Sequence, residues 1–265
     1  HDAVDAIFEQ DELREKMQNL FRGIGDLERL SSKASTGRIN PRELAQLRRG
    51  IQSAHDVASA AAGVDSLLVY LERMSPCDAL LQRLETELVD EPPVNPSKGR
   101  VIRFGVNSEL DDLRGIKSDS KAALDAICKR ETERTGITSL KIDYNQVFGY
   151  YLEVRNTHKD KVPSEWIRKQ TLTQAERYIT EELKELEQKI LEADSKTSTI
   201  EWDCFQQLVL ATANEITALQ ENAQVIGALD ALTGLAEVAE KNHYVRPRMI
   251  DSLSIQIGNG RHPVI

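Results

Sequence analysis

The chain has few residues of the kinds that disulfide, metal and membrane segments need. It contains three cysteines and five histidines in 265 residues. Cys77, Cys128 and Cys204 are far apart and form no CxxC pair, which argues against a disulfide framework and a zinc site and favours a reducing, cytoplasmic setting. No apolar run approaches the length of a membrane span, so no membrane partner is expected.

Sequence motifs of enzymes are missing as well. The chain has no GxxxxGK[ST] phosphate loop and no GxSxG, HExxH or EF-hand pattern. GIG at 23–25 and GNG at 258–260 lack the lysine of a phosphate loop and are interpreted as turns. His55, His158 and His243 are isolated from one another. We therefore expect no catalytic residue, no cofactor, no metal and no enzymatic activity in this chain.

What the chain does have is helical periodicity, with apolar residues three and four positions apart. Residues 181 to about 222 contain neither Gly nor Pro and predict one amphipathic helix with Thr180 as its N-cap, about 60 Å long at about 1.5 Å per residue. Asn40, Pro41 and Glu43 predict another helix start. The remaining helical stretches are 3–30, which Gly23 and Gly25 interrupt before a new run from Asp26, and 75–88, 107–136 and 226–238. The proline-rich stretch 90–99 is predicted to be a linker.

One stretch, 139–180, alternates apolar and polar residues in three or four short runs instead, and it holds four of the six tyrosines. It predicts a small antiparallel sheet, with positive φ or a bulge at Gly149 and an exposed loop at 156–163. The fold class is thus mainly α: a helical core with two long antiparallel lever helices that carry a small antiparallel β insertion. Residues 244–265 are predicted to be irregular and strand-like, because Leu253, Ile255 and Ile257 alternate there.

The net charge of −9 and the sequence pI of about 5.2 argue against a generic nucleic-acid binder. The charge balance of residues 155–177 is different, since this stretch contains six basic and three acidic residues and has a net charge of +3. The following helix is rich in Glu. This pattern indicates a locally basic tip on an acidic stalk, and ordinary solvated surface is the alternative.

Three segments, LKIDYNQVFGYYLEV, HKDKVPSEWIRKQTL and QAERYITEELKELEQKIL, closely resemble the clamp and adjoining lever of the MutS family of DNA mismatch-repair proteins. The likeness extends from HDAVDAI through GDLERL and NPREL, and the closing GRHPVI resembles the start of that family's ATPase domain. The resemblance implies four parts. They are a core and lever domain at 1–120, a clamp at 121–180 that is β-rich from about 139, a second lever and core part at 181–250, and the start of an ATPase domain at 251–265.

The resemblance also implies a function. The clamp would bind the backbone of double-stranded DNA without reading its sequence, and the levers would couple DNA to the ATPase domain during mismatch repair. ATP and Mg²⁺ would bind in the ATPase domain outside this chain. The implied partners are a second copy in a homodimer and the mismatch-repair protein MutL, in the bacterial cytosol near the nucleoid. The family's mismatch-reading Phe-x-Glu is absent, so this chain is expected neither to recognise a mismatch nor to hydrolyse ATP.

Positions matched to the family place the DNA contacts near residues 166–177. Strand alternation would put Arg168 and Gln170 on one side and Ile167, Lys169 and Thr171 on the other. The predicted DNA-binding residues are Lys159, Lys161, Lys169, Thr171, Thr173 and Gln174. The family often has Lys or Val and then Asn at 173 and 174, so this chain departs from it there.

Other residues of this stretch are assigned to structure. Arg177 and Tyr178 are expected to hold the base of the sheet, and Trp166 and Tyr150 to pack in a core rather than to stack on bases. The alternative function is a structural helical protein-interaction module without DNA binding, which the acidic net charge favours.

Overall fold

The computed structural model describes residues 1–96 and 99–262, and its architecture is mainly α with one small sheet. This confirms the predicted fold class. The helices are α1 Asp2–Phe8, α2 Asp11–Ile24, α3 Leu27–Ser35, α4 Pro41–Ala61, α5 Asp65–Leu71, α6 Asp78–Glu87, α7 Ser108–Thr135, α8 Glu181–Asn214 and α9 Ile216–Asn242. The strands are β1 Lys141–Asn145, β2 Gly149–Arg155, β3 Ile167–Thr171 and β4 Ala175–Ile179. Each helix in the described residues is too short or too polar to span a lipid bilayer.

Side-chain caps fix the predicted helix starts. At α4, the Glu43 N–H donates to Asn40 Oδ1 at 3.0 Å and the Asn40 N–H donates to Glu43 Oε2 at 3.2 Å, which completes a capping box. Thr180 caps α8 by accepting the Leu183 N–H at 3.2 Å. α6 begins at Asp78, three residues after the start of the predicted stretch 75–88, because Cys77, at φ +49°, is its N-cap.

The long helix predicted to reach Asn222 ends at Asn214 instead, so that prediction is wrong. The Glu215 N–H donates to the Thr212 carbonyl at 3.2 Å, and α9 begins at the next residue. The turn brings Leu219, Val225 and Leu229 into the bundle, where each is at most 1% exposed. A straight helix would carry these apolar side chains out of the bundle core, so tertiary packing outweighs local helix propensity here.

Two separate hydrophobic cores lie along the molecule. The larger core is enclosed by α1–α6, α9, the start of α7 and the second half of α8. The smaller core lies under the sheet. Among the elements of residues 1–96 and 99–262, only α7 and α8 run from one core to the other, and they pack against each other as the predicted pair of lever helices.

A strap between α6 and α7 closes the bundle core. Arg48 is a buried charged residue, 8% exposed, and its guanidinium donates to the carbonyls of Leu84 and Leu88, both at 3.2 Å. Leu88 and Ile102 form an isolated antiparallel bridge. The described part of the predicted linker at 90–99 contains no α-helix or strand, and residues 97 and 98 lie outside the described residues.

The strand-like structure predicted after α9 is wrong for residues 244–262, which contain no strand. Leu253, Ile255 and Ile257 are each at least 78% exposed. Alternation alone does not make a strand, because a strand also needs a hydrogen-bonded neighbour and an apolar surface to cover. The last three residues of GRHPVI, 263–265, lie outside the described residues.

Candidate nucleic-acid interface

The sheet sits at the end of the α7–α8 pair that lies away from the bundle core. Its strand order is β1-β2-β4-β3, and every pair is antiparallel. Because Arg155 lies opposite Ala175, the end of β2 meets the turn between β3 and β4. We call Arg155, Asn156 and residues 171–175 the distal end of the sheet.

A small core fixes the sheet on the helices. Trp166 is 5% exposed and its ring centroid lies 6.0 Å from that of Tyr178, while Tyr150 packs against the edge of the same core. These aromatic side chains are therefore structural, as predicted. The buried members of this core are Ile137, Leu140, Leu152, Val154, Trp166, Tyr178 and Leu183.

A bulge in β3 changes which side chains share a face. Arg168 lies opposite Tyr178, but Gln170 lies opposite Arg177, so the register shifts at Lys169. Since neighbouring residues of β4 point to opposite faces, Arg168 and Gln170 do too, and the predicted alternation is wrong. The extra residue, Lys169, is left unpaired on an edge strand, where it is exposed to solvent.

The predicted loop at 156–163 is instead a 3-10 helix over Asn156–Lys161. Its first residue is bonded to the turn between β3 and β4: the Asn156 N–H donates to the Gln174 carbonyl and Asn156 Nδ2 donates to the Thr173 carbonyl, both at 3.1 Å. The structure thus joins the 3-10 helix that contains Lys159 to the turn that contains Thr173 and Gln174.

Most predicted DNA contacts are exposed and carry no internal ion pair. Lys159, Lys169, Thr171, Thr173 and Gln174 are all exposed. Within the described part of the chain, neither lysine has a carboxylate within salt-bridge distance. The neighbouring arginines are paired instead, and the pairs are Arg134–Glu165 at 2.7 Å, Arg168–Glu176 at 3.3 Å and Arg177–Glu153 at 3.2 Å.

Lys161 occupies a different place from the other predicted contacts. Its Nζ donates to the Gly136 carbonyl at 3.3 Å, at the C-terminal end of α7. A cation is favourable there because carbonyls at a helix C-terminus lack intrahelical partners and carry partial negative charge. In the free chain, Lys161 therefore stabilises the end of α7.

Glu176 adds a negative charge beside Thr171, its partner in the strand register. The Tyr178 hydroxyl donates to the Glu176 carboxylate, and this hydrogen bond, helped by Arg168, lowers the pKa of Glu176. Burial and the same hydrogen bond raise the pKa of Tyr178 to about 12. The carboxylate consequently stays ionised near neutral pH and partly offsets the positive charge of the distal end.

The sequence reasoning missed Arg155 and Asn156. Arg155 is exposed, has no ion pair among the described residues and ends β2 at the distal end. Asn156 holds the turn between β3 and β4. The signal available in the sequence was their position, because two polar residues directly follow the last apolar residue of a buried strand. Elsewhere in the described residues, no group of three or more His, Cys, Asp or Glu side chains is placed to hold a metal ion.

Comparison with known proteins agrees with this architecture. The sequence profile of MutS family domain IV matches residues 105–196, which include α7, the whole sheet and the first half of α8. The chain is 48% identical to the DNA mismatch repair protein MutS of Parabacteroides distasonis and to that of Flavobacterium psychrophilum, and both alignments cover 100% of this chain. The MutS protein of Salinibacter ruber is 43% identical over the same share. The chain spans about a third of the length of the curated relatives that it matches, 29–31% in these three cases. It belongs to the MutS family.

Proposed function

We propose that this chain serves in DNA mismatch repair and that the distal end of its sheet binds the sugar–phosphate backbone of duplex DNA. The relatives that match the whole chain are named as mismatch-repair proteins. In this proposal the sheet is the clamp of the family, and the α7–α8 pair transmits its position to the bundle. ATP, Mg²⁺, a second copy of the chain and MutL would be engaged by the longer protein, as the family resemblance implies.

The observation that carries the proposal is the contrast between paired and unpaired cations in the clamp. Arg134, Arg168 and Arg177 are neutralised by carboxylates, whereas Arg155, Lys159 and Lys169 are exposed and unpaired in the described structure. Unpaired cations attract phosphates without reading the base sequence. The hydroxyls of Thr171 and Thr173 can add hydrogen bonds to phosphate oxygens.

Such a surface predicts weak, salt-dependent and sequence-independent binding. A few phosphate contacts correspond to a Kd of roughly 10⁻⁴ to 10⁻⁶ M at physiological salt. We expect Lys159→Glu combined with Lys169→Glu to weaken binding about tenfold or more at low salt, and equally for matched and mismatched duplexes. Fluorescence anisotropy with a labelled duplex at several salt concentrations measures both effects.

Lys16→Glu combined with Arg73→Glu is the matched control, since both residues are exposed, lie on the bundle and have no ion pair in the described structure. It changes the net charge by the same amount as the clamp variant. Equal losses of duplex affinity in the clamp variant and the control variant would contradict the proposal. A loss confined to mismatched DNA would contradict the backbone mode of binding. If the unsubstituted chain did not bind duplex DNA at low salt, the alternative of a structural protein-interaction module would be favoured.

A further inference from the structure

A second cationic surface lies on the bundle, far along the chain from the clamp. Residues 22–49 contain seven basic and three acidic residues, a net charge of +4 in a chain whose total is −9. This excess is at least as large as that of the clamp segment. Its exposed members without a carboxylate partner in the described structure form what we call the arginine face: Arg22, Arg38, Arg42 and Arg49.

Contacts between helices place Arg22 beside α4, which carries Arg42 and Arg49, and Arg38 lies two residues before the N-cap of α4. A Cβ on Gly23 would lie 3.5 Å from Ser53 Oγ, and a Cβ on Gly25 would lie 2.6 Å from Gln46 Nε2. The end of α2 therefore runs directly alongside α4, next to the turn that contains Arg49. Arg42 and Arg49 are seven residues apart on α4, so they share one helix face about 10.5 Å apart along its axis.

The acidic residues of this stretch do not neutralise the arginine face, because two of the three are used elsewhere. Glu43 completes the α4 capping box and pairs with Lys33 at 2.5 Å, and these hydrogen bonds, together with one from Arg29, lower its pKa. Asp26 caps α3 by accepting the Arg29 N–H at 2.9 Å. Glu28 is the remaining carboxylate of the stretch, and Asp56 is an exposed carboxylate seven residues after Arg49 on the same face of α4. Neither forms an ion pair with the four guanidinium groups in the described structure.

The character of this surface favours a polyanion over a protein partner. Stretch 9–67, which is described in full, exposes no large hydrophobic side chain. Protein interfaces depend on aromatic or aliphatic anchors at their centre, and this surface has none. Guanidinium groups suit phosphate particularly well, since each can donate two parallel hydrogen bonds.

We propose that the arginine face is a second binding surface for the phosphate backbone of duplex DNA, separate from the clamp. It lies on the bundle, so it goes beyond the proposed function of the sheet. Its binding is sequence-independent and salt-dependent, as for any array of phosphate contacts. A duplex that engages both surfaces at once would be held more tightly than by either alone.

The test is duplex titration of the Arg42→Glu/Arg49→Glu variant at about 50 mM salt, where we expect affinity about tenfold below that of the unsubstituted chain. Lys16→Glu/Arg73→Glu carries the same change in net charge and should stay within about twofold of the unsubstituted chain. Arg42→Lys/Arg49→Lys keeps the charge and should retain most of the affinity. Circular dichroism should be unchanged throughout, because the described side chains of Arg42 and Arg49 make no ion pair or hydrogen bond.

The result that overturns this inference is equal binding by the Arg42→Glu/Arg49→Glu variant and the Lys16→Glu/Arg73→Glu control. An acidic protein partner would then be the better explanation of the arginine face. The Lys159→Glu/Lys169→Glu clamp variant, measured in parallel, keeps the two proposals apart. If only the clamp variant loses affinity, the function of the clamp stands and the arginine face does not bind DNA.

Discussion

Gly149 is the residue at which the first hairpin of the clamp meets α8. Its φ is +75°, a conformation in which an L side chain is strained, and a Cβ there would lie 1.9 Å from Glu187 Oε1. The two effects differ in kind. The Glu187 carboxylate ends a flexible side chain and can move aside, whereas the backbone conformation is fixed by the hairpin.

We predict that Gly149→Ala destabilises the clamp and that removing Glu187 does not rescue it. The left-handed conformation alone costs about 1–2 kcal/mol, so Gly149→Ala/Glu187→Ala should remain less stable than Glu187→Ala by that amount. Urea unfolding followed by the fluorescence of Trp166, in a Trp202→Phe background, measures the difference. Equal stability of the double variant and Glu187→Ala would show that the close contact, and not the backbone, makes glycine necessary here.

At the scale of single residues, the sequence predicted those roles that depend on near neighbours. Asn40, Glu43 and Thr180 cap helices as predicted, because a cap is decided within four residues. The face of Gln170 was predicted wrongly, since a bulge depends on how two strands pair. The bond from Lys161 to Gly136 spans 25 residues in the chain and no local pattern could reveal it.

The junction of the strap with the two lever helices depends on one buried carboxylate, Glu201 of α8, which is 2% exposed. Its Oε1 accepts hydrogen bonds from the Val101 N–H at 2.5 Å, the Ile102 N–H at 3.1 Å and Arg114 Nη2 at 2.9 Å. Arg114 belongs to α7, so this carboxylate joins both lever helices to the strap. Three donors converge on one acceptor. Without it the two backbone N–H groups would lose their acceptor, whereas Arg114 would keep the Ile102 carbonyl and Asp111.

We predict that Glu201→Ala destabilises the chain by about 2–5 kcal/mol, since it leaves two buried backbone N–H groups without an acceptor and removes one of the two carboxylates that pair with Arg114. Asp194→Ala is the control on the same helix. The Asp194–Lys117 pair, at 2.9 Å, is solvent-exposed on both sides and should contribute less than about 1 kcal/mol. Urea unfolding followed by circular dichroism compares the two variants, and similar losses would contradict the role assigned to Glu201.

At the scale of elements, the sequence predicted the existence and type of each helix or strand more reliably than the residues at which it ends. The sheet and both lever helices were predicted from periodicity, which each element carries in its own residues. The end of α8 was not, because no Gly or Pro marks it and the turn at Glu215 is decided by burial of Leu219 and its neighbours against other helices. The strand predicted after α9 failed for the opposite reason, since its alternation has no sheet to join in the described residues.

The whole molecule consists of a large core and a small one joined by two helices. Between the two cores, α7 and α8 bury few apolar side chains, which are Leu113, Ile127, Ile190 and Ala193. Little apolar area is therefore buried between the two cores, so the free energy that couples the unfolding of one core to that of the other is small. The clamp core also has far fewer buried side chains than the bundle core. We infer that the clamp can unfold locally while the bundle remains folded.

Leu152→Ala tests this inference, because Leu152 is fully buried in β2, between β1 and β4, and belongs to the clamp core. The truncation should lower the free energy of unfolding of the clamp by about 2–5 kcal/mol. This loss is a large part of the stability that so small a core can supply. Hydrogen exchange followed by mass spectrometry should then lose protection over 139–180 and keep it over α4. Leu47→Ala, an equally buried site in α4, should instead lower protection in the bundle. If Leu152→Ala reduced protection in α4 as much as in the sheet, the chain would be a single cooperative unit.

A clamp that opens by itself would also lose its weak DNA contacts first, so Leu152→Ala should weaken duplex binding and leave any contribution of the arginine face unchanged.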